Sequence, residues 1–127
     1  MTDSNYSGYM KVARTAGASE PADAAVVVKY AVIDASASGN NTIVAAVTGK
    51  KLRVISLFYL AAGTVTCTFQ SGAGGTAITG PLPHTAQTGA VLNYNEDGWF
   101  ETAAGSLLNL NLNAAIAVAG ALSYIEV

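Results

Sequence analysis

Leu52-Arg53-Val54-Ile55-Ser56-Leu57-Phe58-Tyr59-Leu60-Ala61-Ala62, followed after Gly63 by Thr64-Val65-Thr66-Cys67-Thr68-Phe69-Gln70, is the stretch whose reading decides the fold. The first run is nearly continuously apolar, which fits a central strand covered on both faces, and it falls far short of the roughly 20 residues needed to cross a bilayer. The second run alternates Val65, Cys67 and Phe69 with Thr64, Thr66 and Thr68. Because successive side chains of a strand point to opposite faces, this is the pattern of a half-buried strand. With Gly63 between them, the two runs predict a β-hairpin.

Working outward from this pair, short β-type runs are separated by turn residues on both sides. Upstream, Val26–Asp34 is a first strand, Ser38-Gly39-Asn40-Asn41 supplies a turn, and Thr42–Thr48 resumes before Gly49-Lys50-Lys51 turns the chain again. Downstream, Ser71–Gly75 and Gly80-Pro81-Leu82-Pro83 bracket the short segment Thr76–Thr79, and Pro83–Gly89 reads as an exposed loop. Val91–Tyr94 and Trp99–Thr102 flank Asn95-Glu96-Asp97-Gly98, whose Asp-Gly pair signals a tight turn. Leu108, Leu110 and Leu112 alternate with Asn109, Asn111 and Asn113, predicting an apolar face backed by a row of amides that either faces solvent, the favoured reading, or hydrogen-bonds a neighbouring subunit. Ile116–Val127 is a last strand with Ile116, Val118, Gly120, Leu122, Tyr124 and Glu126 on one parity. No stretch combines helical caps with helical period. The expected fold is therefore all-β: an antiparallel β-sandwich over residues 25–127, jelly-roll-like, preceded by an extended N-terminal arm over residues 1–24. The arm carries only scattered apolar anchors such as Tyr6, Tyr9, Met10 and Val12, so it is expected either to order against another surface or to be a plain flexible terminus.

A chain of 127 residues suits one domain. Hydrophobic residues make up 51% and charged residues 11%, against roughly 25% charged in typical soluble domains, which favours a protein that works covered by neighbours in an oligomer or assembly. Charge is unevenly placed. All six Lys and Arg fall within residues 1–53 together with four of the eight acids, a net of +2, and the other four acids leave −4 downstream, giving the overall −2. Such poles steer association with a differently charged surface. Lys50, Lys51 and Arg53 are too small a basic cluster for nucleic-acid binding, which draws its affinity from many neutralised phosphates. The opening Met1-Thr2-Asp3-Ser4 lacks a basic segment leading into an apolar run, so synthesis in a cytoplasm is expected.

Reactive side chains are scarce. Cys67 is the single cysteine and sits in a strand pattern, where it reads as a small buried hydrophobe. His84 is the single histidine and has no cysteine or carboxylate cluster in sequence that would complete a zinc set of three or four ligands. A Ser-His-Asp triad finds no Gly-x-Ser-x-Gly elbow. Gly72-Ala73-Gly74-Gly75-Thr76-Ala77 matches the loose dinucleotide pattern, but Thr79-Gly80-Pro81 forbids the helix that the pattern requires. Gly49-Lys50 lacks the glycine a phosphate-binding loop needs at position 44. Glu96, Asp97 and Glu101 offer oxygen ligands without the spacing of a calcium loop. The expectation is a protein that is not an enzyme and uses no cofactor and no metal.

Gly49-Lys50-Lys51-Leu52-Arg53-Val54, Gly80-Pro81-Leu82-Pro83, Asn93–Thr102 with its Asn-x-Asp-Gly-Trp-Phe turn, and the ending Leu122-Ser123-Tyr124-Ile125-Glu126-Val127 resemble small head proteins of tailed bacteriophages. In particular the chain is similar to the jelly-roll decoration, or cement, proteins on the capsid exterior, over roughly residues 42–127. That resemblance implies a virion structural protein on the outside of the capsid, a homo-oligomer with a trimer favoured, and the major capsid protein as partner. It implies no catalytic residue. Interface candidates are Tyr6 and Tyr9 in the arm, the basic cluster Lys50, Lys51 and Arg53, and Tyr94, Glu96, Asp97, Trp99 and Phe100 around the Asp-Gly turn. Tyr94, Trp99 and Phe100 serve equally as core packing beneath that turn. The alternative function is a phage tail or fibre module that binds a host-surface glycan through Trp99, Tyr94 and the neighbouring acids.

Overall fold

The computed structural model describes residues 26–127, so the anchors Tyr6 and Tyr9 lie outside the described residues. Within them the chain forms ten strands and no helix: β1 (Lys29–Ala35), β2 (Gly39–Val44), β3 (Leu52–Ala61), β4 (Val65–Ser71), β5 (Thr76–Ala77), β6 (Leu82–His84), β7 (Thr88–Leu92), β8 (Phe100–Glu101), β9 (Leu108–Leu112) and β10 (Val118–Glu126). One sheet runs β1-β10-β3-β7 with β8 also on β3, and the other runs β2-β9-β4-β5 with β6 also on β4. Every pairing is antiparallel. First strand pairs last, β2 pairs β9, β3 pairs β7 and β4 pairs β6, a nested order that makes the sandwich jelly-roll-like.

Alternation puts one parity of each strand between the layers. Ile33 of β1, Leu57 and Tyr59 of β3, and Val118 and Leu122 of β10 meet Val65, Cys67 and Phe69 of β4 and Leu108, Leu110 and Leu112 of β9 in one buried cluster. Phe69 and Leu110 are wholly buried, and each such side chain stabilises the fold by roughly 1.5–3 kcal/mol.

Several expectations change. The predicted hairpin of Leu52–Ala62 with Thr64–Gln70 does not form: β3 and β4 belong to different sheets, and Ala62–Thr64 carries the chain across the sandwich edge, with Gly63 seated against Ile116. Two apolar strands of a sandwich gain more by facing each other across the core than by pairing within one layer. Nor is β3 covered on both faces, because Phe58 and Leu60 are exposed. The first turn lies over Ser36–Ser38 rather than Ser38–Asn41. Gly39, Asn40 and Asn41 already belong to β2, and the Asn41 Nδ2 ties the bend by donating to the Ala37 carbonyl at 2.9 Å. Val26–Val28 precede β1 as exposed chain without ladder partners among the described residues. The turn at Asn95–Gly98 forms, closed by the Gly98 N–H donating to the Asn95 carbonyl at 2.9 Å. It joins two strands that lie in line on one edge of β3, where Leu92 pairs Leu57 and Phe100 pairs Val54.

Candidate interface

Antiparallel register sets directly opposed residues on the same face. On the outer side of the first sheet, Val32, Ala121, Phe58 and Val91 therefore form one row across β1, β10, β3 and β7. The row above it is Asp34, Ala119, Leu60 and Gly89, and the row below begins Tyr30, Ser123, Ser56, with the two serine hydroxyls hydrogen-bonded. Tyr30 is 80% exposed, Val32 71%, Phe58 56%, Leu60 48% and Val91 73%. These five side chains expose on the order of 600 Å² of largely apolar surface, the upper end of the largest patch on a typical monomer.

The outer side of the second sheet is polar. Its rows set Thr42, Asn109 and Gln70 side by side, then Asn40, Asn111 and Thr68. Asn109 Nδ2 donates to Gln70 Oε1 at 2.8 Å and to Asn40 Oδ1 at 3.0 Å, and Asn111 Nδ2 reaches the same Asn40 oxygen at 3.4 Å. Asn109 is fully buried, which corrects the expected solvent exposure at that position, whereas Asn111 is partly exposed and Asn113 exposed. Neighbouring amides on three strands cover one another, so the row is a lateral hydrogen-bonded ladder.

The candidates named from sequence that lie among the described residues fall into four groups. Lys51 and Arg53 face Glu101, with Nζ to Oε2 at 3.5 Å and Nε to Oε1 at 2.8 Å, and the Arg53 hydrogen bond holds the Glu101 carboxyl below its ordinary pKa. Lys50 stands in an exposed turn, its N–H donating to the Val47 carbonyl. Phe100 is partly buried and its ring lies 5.2 Å from that of Phe69, so it packs the core. Tyr94, Glu96, Asp97 and Trp99 remain exposed around the turn, where Trp99 Nε1 donates to the Asn93 carbonyl at 2.8 Å. Gly98 has φ +84° and a side chain there would strike the Arg53 stem, so the turn requires glycine at this position.

Tyr30, Val32, Phe58, Leu60 and Val91 were not singled out by sequence motifs. Their signal is that β1 and β3 are apolar at both parities, whereas a two-layered sandwich can bury only one. Among the described residues no group of three or more His, Cys, Asp or Glu comes together. Cys67 is buried in the core, which raises its thiol pKa and keeps it protonated. Comparison with known proteins finds no matching family model, no matching curated protein and no matching solved structure.

Proposed function

We propose that this chain is a non-enzymatic virion structural protein that decorates and stabilises a bacteriophage capsid as a homo-oligomer, seated on the exterior against the major capsid protein. The observation that carries this reading is the apolar row Val32, Ala121, Phe58 and Val91 spanning four strands of one outer face. The sandwich needs only its inner faces to build its core, and apolar residues set in a contiguous outer row serve contact with other chains. The low charge content supports the same reading. The virion setting, and the threefold arrangement that goes with it, come from the resemblance over residues 42–127. Mixing the purified protein with undecorated capsids tests it: stoichiometric binding by sedimentation and electron microscopy is expected, and absence of binding overturns it.

A second reading, a tail or fibre module that binds a host glycan, is favoured by Tyr94 and Trp99 standing exposed beside Glu96 and Asp97. Aromatic faces with nearby polar groups suit sugar rings. Glycan-array binding that Trp99→Ala abolishes selects this reading over the first.

A further inference from the structure

We infer that the outer face of the β1-β10-β3-β7 sheet is where a second copy of this chain docks, face against face, with Phe58 and Val91 at the centre of the contact. The inference rests on the homo-oligomeric part of the proposed function, for the presence of a second copy, and departs from its threefold arrangement.

Three observations point to a copy as the occupant. The first is area. The exposed patch of about 600 Å², with its rim, approaches the roughly 800 Å² that each partner contributes to a standard-size stable interface. The second is the placement of polar groups. The only charged side chain in the three rows described is Asp34 at one end, and the hydroxyls of Tyr30, Ser123 and Ser56 occupy the other end. A twofold axis lying across the strands through the Val32 row stacks that row on its counterpart. It also brings each Asp34 carboxylate over the exposed Tyr30 of the copy, whose hydroxyl donates to it. No like charges are opposed, and sheets packed this way keep their strands within about 30° of alignment. The third is continuity with an edge strand. Among the described residues β1 pairs on one side only, with β10, and runs back into Val26, Val27 and Val28, all exposed. Proteins normally blunt such an apolar edge with charge or proline, and here the sequence from Val26 to Ala35 carries Lys29 and Asp34 near its ends, no proline, and an apolar run from Tyr30 to Ile33 between them.

The contact is isologous and yields an even-numbered assembly, which separates it from the threefold arrangement implied by the resemblance. Sedimentation equilibrium of the full-length protein, across micromolar to submillimolar concentrations, tests it with Phe58→Asp, Val91→Asp and Thr42→Asp. The last places a charge on the outer face of the other sheet. A dimer is expected for the unaltered protein and for Thr42→Asp. Each of the other two should weaken the dimer at least about a hundredfold while leaving far-UV circular dichroism unchanged. Concentration-dependent hydrogen-exchange protection of β1 and β7 amides gives a readout that needs no substitution.

A trimer that persists in Phe58→Asp overturns this inference and leaves the proposed function standing. A monomer at every concentration overturns the inference as well. If that monomer binds undecorated capsids and Phe58→Asp abolishes the binding, the face belongs to the capsid; if instead the monomer's face fails to bind a hydrophobic dye, the occupant is the chain's own segment 1–25.

Discussion

The hydroxyl of Tyr59, on β3 of one sheet, is hydrogen-bonded to Nε2 of His84, on β6 of the other, at 2.9 Å. The two rings meet edge to face with centroids 5.2 Å apart, and Tyr59 also makes an edge contact with Phe69 at 6.1 Å. A polar tip on a buried ring normally needs a partner, and His84 supplies one at the rim of the sandwich. The lone histidine is thereby part of a bridge between the two layers.

Burial, with a smaller contribution from nearby Cys67, pushes the Tyr59 phenol up to about 12 from its ordinary 10. Below pH 10 the folded and unfolded chains both keep this proton. Between pH 10 and 12 the unfolded chain ionises first, so stability is lost as pH rises, by about 2–3 kcal/mol over that window. Urea unfolding at pH 9, 10, 11 and 12 should show this fall in the unaltered protein. Tyr59→Phe should cost about 1 kcal/mol at pH 7 through the lost hydrogen bond and flatten the alkaline decline. An equally steep decline in Tyr59→Phe would place the titrating group elsewhere.

Gly120 sits inward on β10 between Ile33 and Tyr59. A methyl there would lie 2.0 Å from the Phe58 carbonyl oxygen and 2.6 Å from the Tyr59 Cα, both backbone atoms that move only with the strand. Gly120→Ala should therefore destabilise by roughly 2–4 kcal/mol, the range of overpacked and strained core substitutions. Gly80→Ala, whose added methyl meets nothing within 4 Å, is the matched control and should be neutral or slightly stabilising. Thermal unfolding of the two variants side by side checks the contrast.

The Glu101 carboxyl is held down chiefly by the Arg53 hydrogen bond, with Lys51 adding a weaker attraction. A depressed folded-state pKa contributes stability above the ordinary carboxyl range, and that contribution is lost as pH falls through the lowered value. Because both partners are about one-third exposed, the gain is under about 1 kcal/mol and fades in 1 M salt. Glu101→Gln should leave neutral stability almost unchanged and remove part of the acid sensitivity in a pH titration of the unfolding midpoint.

The fold was legible where periodicity and turn chemistry agree. Val65, Cys67 and Phe69 announce a half-buried strand, Leu108, Leu110 and Leu112 announce another, and Asp97-Gly98 announces its turn, and all are found. Partnership was not legible, because Leu52–Ala62 and Thr64–Gln70 carry the same apolar signal whether they pair in one sheet or face each other across the core. The apolar outer face was hidden for the same reason. Continuous hydrophobicity in β3 was consistent with two covered faces, and only the register that sets Phe58 beside Val91 and Ala121 shows which face lies outward. The basic cluster at Lys51 and Arg53 was visible as charge, but its engagement with Glu101 depends on β8 returning to β3 from 48 residues downstream of Arg53.

Asn109 presents the sharpest chemical constraint on the second sheet. Its Nδ2 donates to both Gln70 Oε1 and Asn40 Oδ1, while its buried Oδ1 has no partner among the described residues. Turning the amide over would point an oxygen at two other oxygens, so the donor orientation is the one the neighbours dictate. Asn109→Asp replaces that donor with a buried carboxylate facing two acceptors and should cost about 3 kcal/mol or more at pH 7. Burial raises such a carboxyl's pKa, so the cost should shrink as pH falls and the group regains a proton it can donate. Asn109→Leu removes the unpaired oxygen together with the donor and leaves Asn40 and Gln70 to water, and should cost only about 1 kcal/mol. Urea unfolding at pH 4 and pH 7 separates the two variants, and a Leu variant less stable than the Asp variant at pH 7 would show that the ladder contributes more than its unpaired oxygen takes away.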